Sequence, residues 1–144
     1  MDADRKTMEA MLKRGCVPVL RDMGFKGAFP HFHRETGRFV ALVTVQFGSA
    51  GGSFCVNLGY ADPSRRNVYH TPGSEPAKLR VSQTRDWVRL GAGTAGDRWF
   101  VFGSAAATAY RGSVRSPEEI ATECAELLRS EAEAWWARKQ REAV

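Results

Sequence analysis

Residues 38–47, RFVALVTVQF, carry apolar side chains on both sides of an extended chain. Phe39, Ala41, Val43, Val45 and Phe47 alternate with Val40, Leu42, Thr44 and Gln46. The period of two and the β-branched content predict a strand. Because both sides begin apolar, this strand needs cover above and below. Helices are expected to cover part of one face, while the other face meets something else. The neighbours in sequence supply partners within the sheet. Residues 29–34 form a strand candidate, linked through Glu35, Thr36 and Gly37 in the pattern of a hairpin with a bulged turn. After the flexible turn 49–53, residues 54–60 alternate cleanly. Phe54, Val56, Leu58 and Tyr60 share one face, and Cys55, Asn57 and Gly59 the other.

Helical signals lie at the two ends. From Asp4 to Met23, the residues Met8, Met11, Leu12, Val19 and Met23 recur at spacings of three, four and seven, with Cys16 on the same side. Pro18 lacks an amide hydrogen and clashes with the preceding turn, so it predicts a kink near Cys16 or two short helices joined near Gly15. Gly24 is placed to cap the segment. Toward the C-terminus, Ser116, Pro117 and Glu119 are an N-cap, a first-turn proline and a capping-box glutamate. Ile120, Cys124, Leu127, Leu128, Trp135 and Trp136 follow as an apolar stripe, with Glu131 the polar exception.

Between strands and final helix the pattern is weaker. Residues 61–79 have no period and read as a long surface loop. Residues 79–81 suggest a short edge segment, 87–90 an apolar patch and 91–96 a turn. Residues 98–109 fit two descriptions, since the aromatics of 98–102 favour a strand and the alanines after them a helix. Helices at both ends with strands between predict one α+β domain over residues 1–144. Its antiparallel or mixed sheet packs on the N-terminal and C-terminal helices. The 144 residues, 43% hydrophobic and 26% charged, suit one globular domain with a real core.

The order of these features resembles a bacterial family catalogued as domain of unknown function 4304. The residues that carry the resemblance are Met23-Gly24-Phe25, the aromatic strand 29–34 ending in Arg34, and the strand 43–47 with Gln46. The Asn57-Leu58-Gly59 core, Arg80, Arg85 and the Trp99-Phe100 pair complete the set. The resemblance implies a fold and a bacterial source. It implies no activity and hands over no catalytic residues.

The formal charge of +5 is uneven, with eleven Lys or Arg against five Asp or Glu in residues 24–114. Arg34, Arg38, Arg80, Arg85 and Arg89 lie in that stretch. If they converge, they form an anion-binding surface for phosphate or carboxylate. Tyr60, Tyr69 and Trp87 would add stacking surfaces of use to a nucleic acid. Against this stand the modest charge and the lack of a helix-turn-helix, zinc-finger or RNP motif. His31 and His33 share a strand face and are weak candidates for metal ligation, needing a distant third ligand such as His70, Cys55 or an acid. Cys55 with either histidine is the one conceivable thiol–imidazole pair. No catalytic motif, no phosphate-loop or dinucleotide pattern and no cofactor signature is found.

Adjacent Trp135 and Trp136 cannot face one core equally, so one is expected to meet a protein partner or a second copy. Cys16, Cys55 and Cys124 read as mostly buried thiols in a reducing compartment. With no signal peptide and no membrane span, the cytoplasm is expected. The favoured function is a small non-catalytic interaction or accessory module. The alternatives are a nucleic-acid or phosphate-ligand binder and an enzyme with a site near His31 and His33.

Overall fold

The N-terminal apolar stripe folds as α1 (Asp2–Gly15) and α2 (Val17–Asp22), separated at Cys16. The structure is a computed structural model describing residues 2–69, 75–103 and 112–143. Cys16 keeps right-handed dihedrals (φ −107°, ψ −38°), and Pro18 sits in the first turn of α2, where its missing donor is not needed. The helix closes with Phe25 N–H donating to Leu20 O (2.9 Å) and Gly24 N–H to Arg21 O (3.0 Å). This is a Schellman closure, and Gly24 supplies its positive φ of 97°.

The sheet is an antiparallel meander of β1 (Lys26–Ala28), β2 (His31–Thr36), β3 (Phe39–Phe47) and β4 (Ser53–Ala61). Two short strands, β5 (Val88–Arg89) and β6 (Phe100–Val101), both pair with β4 at different points along it. The free side of β1 is occupied by Arg21, whose guanidinium donates to Phe25 O (3.2 Å) and Gly27 O (2.6 Å). Such a plug leaves the edge less able to pair with another chain. Residues 98–102 thus include a strand, while Ser104 and the alanines 105–109 lie outside the described residues.

One face of the sheet meets the helices. Phe32, Val43, Val56 and Leu58 pack with Met8, Leu12 and Leu20 from the N-terminal pair, and with Ile120, Cys124, Leu128 and Trp136 from the C-terminal rod. That rod is α3 (Pro117–Leu127), a π-helical stretch (Leu128–Ala132) and α4 (Glu133–Glu142). Ser116 Oγ accepts from Glu119 N–H at 3.2 Å, as the capping sequence predicts. The buried residues 120, 124, 128, 132 and 136 are spaced by four. In a pure α-helix a spacing of four drifts by about 40° per step. The wider π turn rotates less per residue and offsets that drift.

The other face is only half covered. Val40, Leu42 and Ala61 form a second small core with Val68, Leu79 and Val81 from the long connection. This connection carries 3₁₀ turns at Pro76–Lys78 and Val81–Gln83 and a bridge between Val68 and Thr84. It lies close because position 59 is glycine: a Cβ there would stand 2.9 Å from Thr84 Oγ1 and 3.1 Å from Val81 Cγ1. All three cysteines are buried and form no disulfide. Among the described residues, no helix is long and apolar enough to cross a membrane.

Candidate functional site

Where the long connection stops, the open face of the sheet turns polar. The strand registers set His31 opposite Thr44, Thr44 opposite Asn57, and Asn57 opposite Arg89. Directly opposed residues project on the same side, so these four form one row across β2, β3, β4 and β5. Gln46 and Cys55, also opposed, form the next row. The side chains are linked. His31 Nδ1 lies 3.0 Å from Thr44 Oγ1, Asn57 Nδ2 donates to Gln46 Oε1 (2.9 Å), and Arg89 Nε donates to Asn57 Oδ1 (3.4 Å). A groove of about 480 Å³ runs over this row, walled by Pro30, Val81, Ser82 and Trp87. Trp87 is 46% exposed, which for a large ring marks a surface with apolar area left to cover.

Arg89 sets the electrostatics. Its guanidinium is paired with the carboxylate of Asp97 and lies 4.9 Å from the Trp99 ring centre and 5.5 Å from that of Trp87. The hydrogen bond from Arg89 holds the Asp97 carboxyl below its usual range, helped by donors from Arg98 and Trp99. Burial, then the positive charge of Arg80, lowers the pKa of His31. Burial also dominates at His33, lowering its pKa against the opposing charge of Glu35, with Lys26 and Arg80 adding to the lowering. Both imidazoles are therefore held toward the neutral form. A second groove of about 690 Å³ lies across β5, between the 92–96 loop and the C-terminal rod at Glu131, Ala134 and Arg138. Trp87 and Arg89 line both. Glu131 Oε1 accepts the Gly91 N–H at 2.8 Å, tying the π turn to the loop after β5.

The family described as Domain of unknown function (DUF4304) has a model that matches residues 16–138. The span takes in every strand, both grooves and most of the C-terminal rod. The chain belongs to the DUF4304 family. No curated protein and no solved structure matches it.

Within this DUF4304 fold the five arginines singled out from sequence take separate places. Arg34 points to the helix face, where it forms a two-pronged pair with Glu133 (2.9 and 2.6 Å) and donates to Met23 O (3.0 Å). Arg38 donates to Pro63 O (3.3 Å), and Arg85 lies over the Tyr69 ring at 4.1 Å. Arg80 donates to Ala77 O and Leu79 O and is close enough to depress both histidines. Arg80 and Arg89 are thus the two beside the polar row, and Arg34 lies on the opposite side of the sheet.

His31 and His33 share the open face, as their spacing predicts. Among the described residues no three His, Cys, Asp or Glu side chains gather as a metal site, and His70 lies outside those residues. Cys55 is fully buried on β4, two strands from the histidines, or about 10 Å by strand spacing. The structure buries both Trp135 (7% exposed) and Trp136 (1%), so neither ring stands out toward a partner. Trp136 Nε1 donates to Gly59 O (2.9 Å), and Trp135 meets Tyr60 edge-on. Sequence reasoning overlooked Thr44, Gln46, Asn57 and Asp97 as site residues. The available signal was polar side chains at matching alternate positions of two neighbouring strands that are otherwise apolar.

Proposed function

We propose that this DUF4304 protein is a non-catalytic binding module that takes a small ligand in the open-face groove. The polar row His31–Thr44–Asn57–Arg89 beside half-exposed Trp87 carries this reading. Binding sites of small molecules typically combine a few fixed polar groups with apolar walls in a volume of roughly 300–1,000 Å³. The groove has that composition and size. Asn57 is held by Gln46 and Arg89, so its orientation is set before any ligand arrives. Binding is favoured over catalysis because, among the described residues, no second hydrogen bond orients the His31 ring toward Thr44 as a triad would require. The buried, unbridged thiols support a reducing compartment such as the bacterial cytoplasm.

The test is nuclear magnetic resonance of the labelled protein titrated with a set of small aromatic amides and acids. Shifts should concentrate on the Gln46 and Asn57 side-chain amides and the Trp87 indole. Trp87→Ala should weaken binding by about tenfold, the loss of one good aromatic contact. Shifts confined to the Glu131–Arg138 groove, or none at all, would overturn the proposal.

A further inference from the structure

We propose that the ligand of the open-face groove is a small monocarboxylate bearing an apolar group, and that Asp97 is its internal stand-in on Arg89. This rests on the preceding reading that the groove binds a ligand. Arg89 is built in from one side: Nε is engaged by Asn57, the guanidinium lies over the Trp99 ring, and its side chain is only 20% exposed. Its ion partner is of the opposite kind. Asp97 is 57% exposed and reaches Arg89 from the solvent side, at the end of the loop that follows β5. The contacts of Arg89 with Asn57 and the Trp99 ring do not run through Asp97, which is itself held by the Arg98 N–H (2.9 Å) and Trp99, so a carboxylate arriving from solvent has only the guanidinium contact to displace.

What replaces it is constrained by the neighbours. A guanidinium presents a planar fork that fits a carboxylate with two parallel hydrogen bonds. The position already holds one carboxylate carrying one negative charge. His31 is held toward its neutral form and adds a hydrogen-bonding group, while Arg80 beside the row already donates to Ala77 O and Leu79 O, so the fork offered to a ligand is that of Arg89. That favours a monoanion over a phosphate dianion. Trp87 and Val81 flank the same groove and offer apolar cover to the rest of the molecule, while the Gln46 amide stands beside Asn57 for a polar group between the two ends. The chemistry recognised is therefore carboxylate, then a planar polar link, then a ring or branched chain.

The experiment uses the full chain and three probes: hippurate (N-benzoylglycine), its methyl ester and phenyl phosphate, each titrated by calorimetry. Hippurate should bind at least about tenfold more tightly than the ester, the difference of one charge-assisted contact. Asp97→Asn removes the competing charge and should tighten hippurate about fivefold or more while leaving the ester unchanged. Arg89→Lys keeps a charge but not the fork and should bring acid and ester together. Acid and ester binding alike, or an unchanged Asp97→Asn affinity, overturns carboxylate exchange while the groove still binds. Phenyl phosphate binding more tightly than hippurate overturns the monocarboxylate. If no probe binds even Asp97→Asn and the Trp87 indole does not respond, the groove itself is not the site and both proposals fall.

Discussion

Arg34 joins three parts of the molecule that are far apart in sequence. From β2 it reaches Met23 O at the end of α2 and Glu133 on α4, and its guanidinium stacks over Phe25 (4.7 Å) and Trp136 (5.4 Å). Its Nε is buried with no hydrogen-bond partner among the described residues, so the other contacts must outweigh that cost. The planar fork is what allows two bonds to one carboxylate and stacking on two rings together. Lysine has one charged point and no plane. Arg34→Lys should therefore destabilise the fold by about 1–2 kcal/mol. The figure stays modest because Glu133 is 38% exposed and water screens the pair. Urea unfolding checks it, and a change indistinguishable from zero would show the stacking and the fork to be dispensable. In the sequence Arg34 reads as one of five arginines that would form an anion-binding surface if they converged. Its role is decided by Glu133, 99 residues away, which no local pattern pairs with it.

The kink between α1 and α2 and the π stretch in the C-terminal rod both change the direction of an apolar stripe. Pro18 is legible as an interruption, and the structure places it where it does least harm, in the first turn of α2. Pro18→Ala should accordingly alter stability by less than about 0.5 kcal/mol, against the roughly 3 kcal/mol gain expected for removing a proline from a helix interior. A large gain in the urea midpoint would mean that the proline, and not packing, imposes the kink. The C-terminal stripe at 120, 124 and 128 is equally legible. Its continuation to Trp135 and Trp136 is legible too, but the burial of both rings is not, because periodicity arguments assume 3.6 residues per turn throughout. A π turn changes the phase inside the element, and both tryptophans then reach the core. The strand β1 was missed for another reason. Three exposed residues carry no alternation, and they pair only because β2 lies beside them.

The whole molecule is a sheet with unequal faces, and its response to pH follows from which side each titrating group occupies. His31 and His33 on the open face have pKa values below the ordinary 6.5. Their contribution is complete above pH 6.5 and is lost as the pH falls through the folded values, because the unfolded chain then binds more protons. Tyr60 lies at the rim of the helix face, where burial and Asp86 push it up to about 12 from 10.0. Its contribution is complete below pH 10 and lost as the pH rises toward 12. Stability should thus be flat from pH 6.5 to the thiol range near 9.0, above which the buried Cys124, held protonated in the fold, adds to the alkaline loss. The double variant His31→Gln, His33→Gln should fall less between pH 7 and 5 than the parent. Equal slopes in denaturant titrations would place the acid sensitivity elsewhere. The α+β class, the pairing of the two hairpin strands, the cleanly alternating β4 and the capped final helix were determined by the sequence itself, because caps, turns and alternation act over a few residues. The expected three-residue bulged link was not, since Glu35 and Thr36 pair with Val40 and Phe39 and only residues 37 and 38 make the turn. The need for cover on both faces of 38–47 was legible too, though not what supplies it. Only the tertiary structure decided that the connection after β4 folds back over Val40 and Leu42, and that it stops short of Thr44 and Asn57. The groove exists because of that stopping point. Its row is assembled from four strands by register, and register depends on cross-strand packing between residues that the linear sequence keeps apart.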